Sequence, residues 1–174
     1  HANRLFGFSA QKTLRVAQAL YETKKLLSYP RTDSRHLSQA VAETLPEIVQ
    51  SIRPPFEELL APGTGSRPLG PRFVDDSKVT DHHAIIPTPT RPERVQLSAD
   101  EERIYHLVCR RLLAAWHEPF KYLVTEVTTG IGGPGKEDRF FSRGTAVEDL
   151  GWKVLDLGAG PERSRTSPAA DDQD

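Results

Sequence analysis

An α+β protein is what the sequence predicts, with helices in front and an antiparallel hairpin behind. Three observations carry this. Apolar residues recur at three- and four-residue spacing over 9–25 and again over 98–115. From Pro119 onward, β-branched and aromatic residues take over with partial alternation. Gly132-Gly133-Pro134-Gly135 then interrupts that run where a hairpin would turn. The 174 residues, 37% of them hydrophobic, amount to one domain's worth of chain with enough apolar surface for one core. No stretch approaches the ~18 consecutive apolar residues of a membrane span, and no secretory signal opens the chain. Membrane and secretory readings are therefore excluded. A single cysteine rules out an internal disulfide and a multi-cysteine zinc ribbon, and it fits a reducing cytoplasm. The lack of any methionine and the His1-Ala2 start predict a piece cut from a larger protein.

The elements follow in order. Ser9 is a helix N-cap, and Ala10, Leu14, Ala17, Leu20 and Tyr21 give the helix after it an apolar face as far as about Lys25. Pro30 pushes Tyr29 into extended backbone, so the helix has ended by there. A second helix begins at Ser38 with Val41 and Leu45 buried, is interrupted by Pro46, and continues through Ile48, Val49 and Ile52. Five prolines and three glycines give residues 53–72 the composition of a loop. Residues 79–88 read as a turn and a short stretch facing the core through Ile85 and Ile86. Ser98 and Glu101 form a capping box for a helix with Ile104, Leu107, Val108, Leu112 and Ala115 inward and Arg110 and Arg111 toward water. Residues 120–131 and 139–147 read as paired strands, and Trp152, Val154 and Leu155 as the start of a third. From Gly158 onward the composition predicts a disordered tail.

The net charge of −1 is unevenly spread: residues 1–36 hold seven Lys/Arg against Glu22 and Asp33. A positive first fifth is compatible with a phosphate-binding surface. Within it lies Ser28-Tyr29-Pro30-Arg31-Thr32-Asp33-Ser34. In extended backbone alternate side chains share a face, so Tyr29 and Arg31 can point into one cavity. A phenol is a weak nucleophile at neutral pH, and a guanidinium would help by stabilising phenolate and gripping a phosphate. A second string, His82-His83-Ala84-Ile85-Ile86-Pro87-Thr88, offers an imidazole to a phosphate oxygen; adjacent histidines point apart, so one of the two serves a given site. Read singly, each string is better explained by an ordinary turn or a surface pair.

Together, Tyr29–Ser34 and His82–Thr88 resemble type IA DNA topoisomerases, and within them the topoisomerase III branch, over roughly residues 1–156. The resemblance implies a mainly helical, winged-helix or CAP-like catalytic-tyrosine domain over 1–117. It implies strands of the adjoining gate domain over 118–157, with the tail at 158–174. By the same resemblance Tyr29 is the nucleophile forming a 5′-phosphotyrosyl link to single-stranded DNA, without ATP, so that DNA is relaxed or decatenated. Arg31 positions the scissile phosphate and His82 contacts it, while Thr32, Asp33, Ser34, Arg35 and His83 serve DNA binding. Mg²⁺ belongs to a Toprim domain outside this sequence, and no metal ligand is expected here. The isolated chain is expected to be inactive, with single-stranded DNA and the remaining domains of the same enzyme as partners. A cytoplasmic, nucleoid-associated location is implied. Ser28 departs from the family's frequent threonine.

Two other readings compete. Asp81-His82-His83 reproduces the Asp-His-His string of a metal-dependent phosphoesterase family, although an upstream Asp-x-Asp is missing. A non-catalytic single-stranded nucleic-acid binding module would need only basic and aromatic side chains.

Overall fold

A computed structural model describes residues 1–133 and 135–157. The order is α1 (Ala2–Phe6), α2 (Ala10–Glu22), α3 (Gln39–Ala42), α4 (Leu45–Ile52), α5 (Ala99–Leu113), β1 (Lys121–Gly133) and β2 (Lys136–Asp149), with 3₁₀ turns between them. Helices followed by an antiparallel pair make the fold α+β, in agreement with the sequence. The tail expected over 158–174 lies outside the described residues.

Helix α2 starts where Ser9 accepts the Lys12 amide proton, and it packs on α5 through buried Val16, Ala17 and Leu20. It ends at Glu22, three residues short of the expected Lys25, because the Leu26 amide reaches back to Leu20 O and Lys25 turns left-handed. Leu14, expected in the core, is 36% exposed. At 100° per residue Ala10, Leu14 and Tyr21 lie together beside the Val16–Leu20 stripe, so α2 has two apolar edges and buries one.

Pro46 does not interrupt a helix. It sits in the first turn of α4, where a missing N–H costs nothing, and the break falls earlier, at Glu43-Thr44. Leu45, Ile48, Val49 and Ile52 then form an unbroken buried stripe. Residues 53–72 are more ordered than their composition suggests. Pro54–Leu59 is a 3₁₀ helix that buries Phe56, and Trp116 and Arg67 exchange hydrogen bonds through Trp116 Nε1 to Arg67 O (2.7 Å) and Arg67 Nη2 to Trp116 O (2.6 Å).

The Ser98–Glu101 capping box opens α5 as the sequence requires. Its buried stripe includes Tyr105, Cys109 and Leu113 with Ile104 and Leu112, whereas Leu107, Val108 and Ala115 are half-buried. Each fully buried side chain contributes about 1.5–3 kcal/mol of hydrophobic stabilisation. Arg110 does not face open water: it lies over the Phe56 ring at 4.9 Å. Strands β1 and β2 pair from Gly133↔Lys136 down to Lys121↔Asp149 with a register shift at the base. Phe141 is 78% and Leu123 56% exposed, so large apolar groups on both sheet faces meet solvent among the described residues. The expected third strand is a 3₁₀ helix, Gly151–Leu155, which drops Leu155 into the helical core instead of continuing the sheet.

Candidate active site

Two strings about fifty residues apart in sequence are laced together by backbone. Leu27 pairs antiparallel with Pro87, the Ser28 amide donates to Ile86 O (2.9 Å), and the Thr88 amide donates to Leu26 O (3.0 Å). Ser28 Oγ adds a bond from the Ile86 amide (2.9 Å), and Thr88 Oγ1 donates to Lys25 O (2.6 Å). Buried Leu26, Leu27 and Ile86 anchor this ladder in the core. Further along, the Ala84 amide donates to His36 O, and Leu37 pairs in parallel with Val74.

Beyond Pro30, burial alternates with period two. Thr32 and Ser34 are half-buried and donate their hydroxyls to His82 O (3.0 Å) and Lys78 O (2.9 Å), fastening the tyrosine loop to the histidine segment. Arg31, Asp33 and Arg35 are exposed. Tyr29 is half-buried; its ring lies 4.4 Å from the His82 ring and 5.4 Å, edge-on, from Tyr21 of α2. Arg31 Nη2 donates to Gln18 Oε1 (3.3 Å), and Gln18 Nε2 donates to Glu22 Oε1 (2.8 Å). Tyr29 and Arg31 thus reach the same edge of α2, the one that carries Gln18 and Tyr21. Sequence reasoning missed those two as site residues. The signal was present: they lie three apart on one half-buried edge of a helix whose end feeds the tyrosine loop.

The histidines part company. His82 is exposed and faces Tyr29, whereas His83 is half-buried and its Nδ1 donates to Ala84 O (2.7 Å). Asp75 accepts from Ser77 and pairs with Lys78 (3.0 Å), and these partners hold its carboxyl down to about 2. Among the described residues no group of three or more His, Cys, Asp or Glu is arranged to hold a metal. Asp81-His82-His83 is therefore part of no such group among the described residues. Among the described residues no helix is long and apolar enough to cross a membrane.

The arrangement brings a half-buried phenol, an exposed imidazole and an exposed guanidinium to one edge of α2: a nucleophile, a proton carrier and a cation able to bind phosphate. The comparisons point the same way. The DNA topoisomerase family matches residues 1–173, and the chain belongs to that family, in its type IA class. Within it, the similarity runs to proteins named DNA topoisomerase 3. That of Bacillus licheniformis is 40% identical over 156 residues, and that of Bacillus subtilis (strain 168) 39% over 159. Each alignment covers 88% of this chain and 21% of the relative, so the chain spans about a fifth of their length. Full-length topoisomerase I from Thermotoga maritima superposes with a TM-score of 0.52 at 28% identity, covering 88% of this chain and 24% of that one.

Proposed function

We propose that this chain supplies the strand-cleaving tyrosine of a type IA topoisomerase. Residues 1–117 form the tyrosine unit, and within 118–157 the hairpin Lys121–Asp149 begins the next while Gly151–Leu155 packs back on the first. The Tyr29 phenol attacks the phosphorus of one phosphodiester in single-stranded DNA. The phenolic proton leaves, the new O–P bond holds the 5′ phosphate, and the departing 3′ oxygen takes up a proton. Reversal reseals the strand, and because the bond energy is stored in the phosphotyrosine no ATP is consumed. Arg31, held beside α2 by Gln18 through Nη2, grips the phosphate oxygens with its remaining N–H groups through charged hydrogen bonds. His82 donates to the same phosphate or takes the phenolic proton, since its ring already lies against Tyr29. Asp33 and Arg35 flank the strand, while Thr32, Ser34 and His83 hold the loop that presents the nucleophile.

The observation that carries this reading is the 4.4 Å contact between the Tyr29 and His82 rings, made by two strings that only the fold brings together. Mg²⁺ would come from a Toprim-type domain elsewhere in a longer protein, so the chain alone binds single-stranded DNA without relaxing supercoils. Relaxation or decatenation, and a location on the nucleoid, belong to the whole enzyme.

Covalent trapping tests the proposal. A 3′-end-labelled single strand, Mg²⁺, this chain and a separately expressed Toprim domain are mixed and denatured. A labelled adduct that disappears with Tyr29→Phe is expected, and it should drop at least about tenfold with Arg31→Ala. An adduct that survives Tyr29→Phe sinks the assignment.

A further inference from the structure

Helix α2 carries an apolar edge that it does not spend on the core, and Tyr21 is the last residue on it. Leu14, about two turns earlier on that edge, meets solvent, whereas Tyr21 meets the nucleophile. The Tyr29 ring has two aromatic neighbours: His82 at 4.4 Å, tilted by 44°, and Tyr21 at 5.4 Å, turned to 77°. One comes from the helix that leads into the tyrosine loop, the other from a segment about fifty residues further along. Among the described residues the Tyr29 hydroxyl makes no hydrogen bond. Its direction is therefore set by what packs against its ring.

The backbone leaves that ring one large freedom. Pro30 keeps Tyr29 out of the helical region, and the ladder between Leu26–Ser28 and Ile86–Thr88 fixes the residue before it. Rotation about χ1 remains, with three staggered wells that send the phenol in three directions. His82 alone is a poor guard of one well, since it is exposed and exposed side chains change rotamer within nanoseconds. Tyr21 is better anchored. It is half-buried on a helix that Val16, Ala17 and Leu20 pin to α5, and the Lys25 ammonium lies 5.8 Å from its ring centroid, within cation–π reach. An edge-to-face pair has a preferred angle as well as a preferred distance, so Tyr21 restrains the tilt of the Tyr29 ring and not only its position. In a displacement at phosphorus, an error of about 1 Å in the attacking atom costs about a hundredfold in rate.

We propose that Tyr21 is a positioning residue for strand cleavage: its ring is the fixed wall that keeps the Tyr29 phenol against His82 and aimed at the scissile phosphate. The proposal rests on Tyr29 being the nucleophile, and it assigns Tyr21 no contact with DNA. Two readouts test it in parallel. Ring-to-ring NOEs are recorded on the 174-residue chain, whose four tyrosines are assigned by replacing each in turn with phenylalanine. Covalent adduct formation with the Toprim domain is timed across a series of oligonucleotide concentrations. The unsubstituted chain should show Tyr21–Tyr29 and Tyr29–His82 NOEs. Tyr21→Ala should lose the second and slow adduct formation at saturating oligonucleotide about tenfold, with the half-saturating concentration unchanged. Tyr21→Leu, which fills much of the space without a ring, should side with Tyr21→Ala and separates loss of the ring from loss of the fold. Tyr21→Phe keeps the ring edge and should restore both readouts. Leu14→Ala, a truncation on the same edge of α2, should disturb neither. Four results each overturn the positioning role: an unsubstituted chain without the two NOEs, a full adduct rate in Tyr21→Leu, a loss seen only as a raised half-saturating concentration, or a Tyr21→Phe as slow as Tyr21→Ala. In every one of them a Tyr29-dependent adduct leaves the cleavage reading standing. No Tyr29-dependent adduct from the unsubstituted chain sinks the cleavage reading and the role of Tyr21 with it.

Discussion

Lys25 shows how a single residue sets the approach to the nucleophile. Its φ of 58° makes it the one non-glycine among the described residues in the left-handed region, and the turn it makes delivers Leu26 and Leu27 to the core and Tyr29 to the site four residues on. Side chains other than glycine occupy that region at a cost of about 1–2 kcal/mol. Lys25→Gly is therefore expected to stabilise the chain by about 1 kcal/mol in urea unfolding, once glycine's freer unfolded state is offset. A loss of stability instead would mean that the Lys25 ammonium, 5.8 Å from the Tyr21 ring, outweighs the strain. Gln18 matters at the same scale. With its carbonyl on Arg31 and its amide on Glu22, it holds the guanidinium beside α2 and screens it from that carboxylate. Gln18→Ala should raise the KM for cleavage of a single-stranded oligonucleotide in the reassembled enzyme more than it changes kcat, through a wandering Arg31. Equal KM values would assign Gln18 no part in positioning.

The elements show what the sequence could and could not disclose. The α5 capping box was legible because both of its partners lie within four residues, and the hairpin was legible because Gly132-Gly133-Pro134-Gly135 punctuates a β-branched run. The failures were tertiary. The end of α2 is fixed by packing of Leu26, the Phe56 turn by a ring that needs Arg110 above it, and the 3₁₀ helix at Gly151–Leu155 by the core's demand for Leu155. None of these is encoded in local periodicity. The candidate site divides in the same way: Tyr29, Arg31 and His82 stood out as strings, but their meeting depends on hydrogen bonds between Leu26–Ser28 and Ile86–Thr88. Gly151 is the element-scale test. With φ +46° at the hairpin's foot, an added Cβ would collide with Glu118 O and lie 2.6 Å from Pro119 O, just where the Trp152 amide bonds Glu118 O. Gly151→Ala should cost about 2–4 kcal/mol, from left-handed strain plus overpacking. In hydrogen exchange, amides of β2 and Trp152 should lose protection before those of α5. Uniform loss across the chain would show that the hairpin foot and the helical core unfold as one unit.

The whole molecule should be most stable at neutral pH, because two histidines are folded into it uncharged. His106 lies half-buried beside Phe56, at 5.8 Å between rings, and burial pulls its pKa below the ordinary 6.5, with Glu102 opposing and Arg110 assisting. His117 is lowered by burial alone, and its Nε2 accepts the Ala61 amide proton (3.3 Å), a bond that protonation would break. A folded pKa below the unfolded one means that the unfolded chain binds the proton more readily. Stability from these groups is thus complete above 6.5 and lost as pH falls through their lower folded values. Glu101 adds a second, more acidic loss. The Ser98 amide holds its carboxylate below the ordinary 4.5, so its contribution is present above that value and disappears as pH drops through the folded one. Thermal melts should therefore show Tm steady from pH 8 to 7, falling from about 6.5 downward, and falling again below 4.5. His106→Gln combined with His117→Gln leaves the Ala61 amide an acceptor and removes both titrations. Its Tm should stay level between pH 7 and 5, where the unsubstituted chain declines. Parallel declines in the two proteins would place the acid sensitivity in groups other than these histidines.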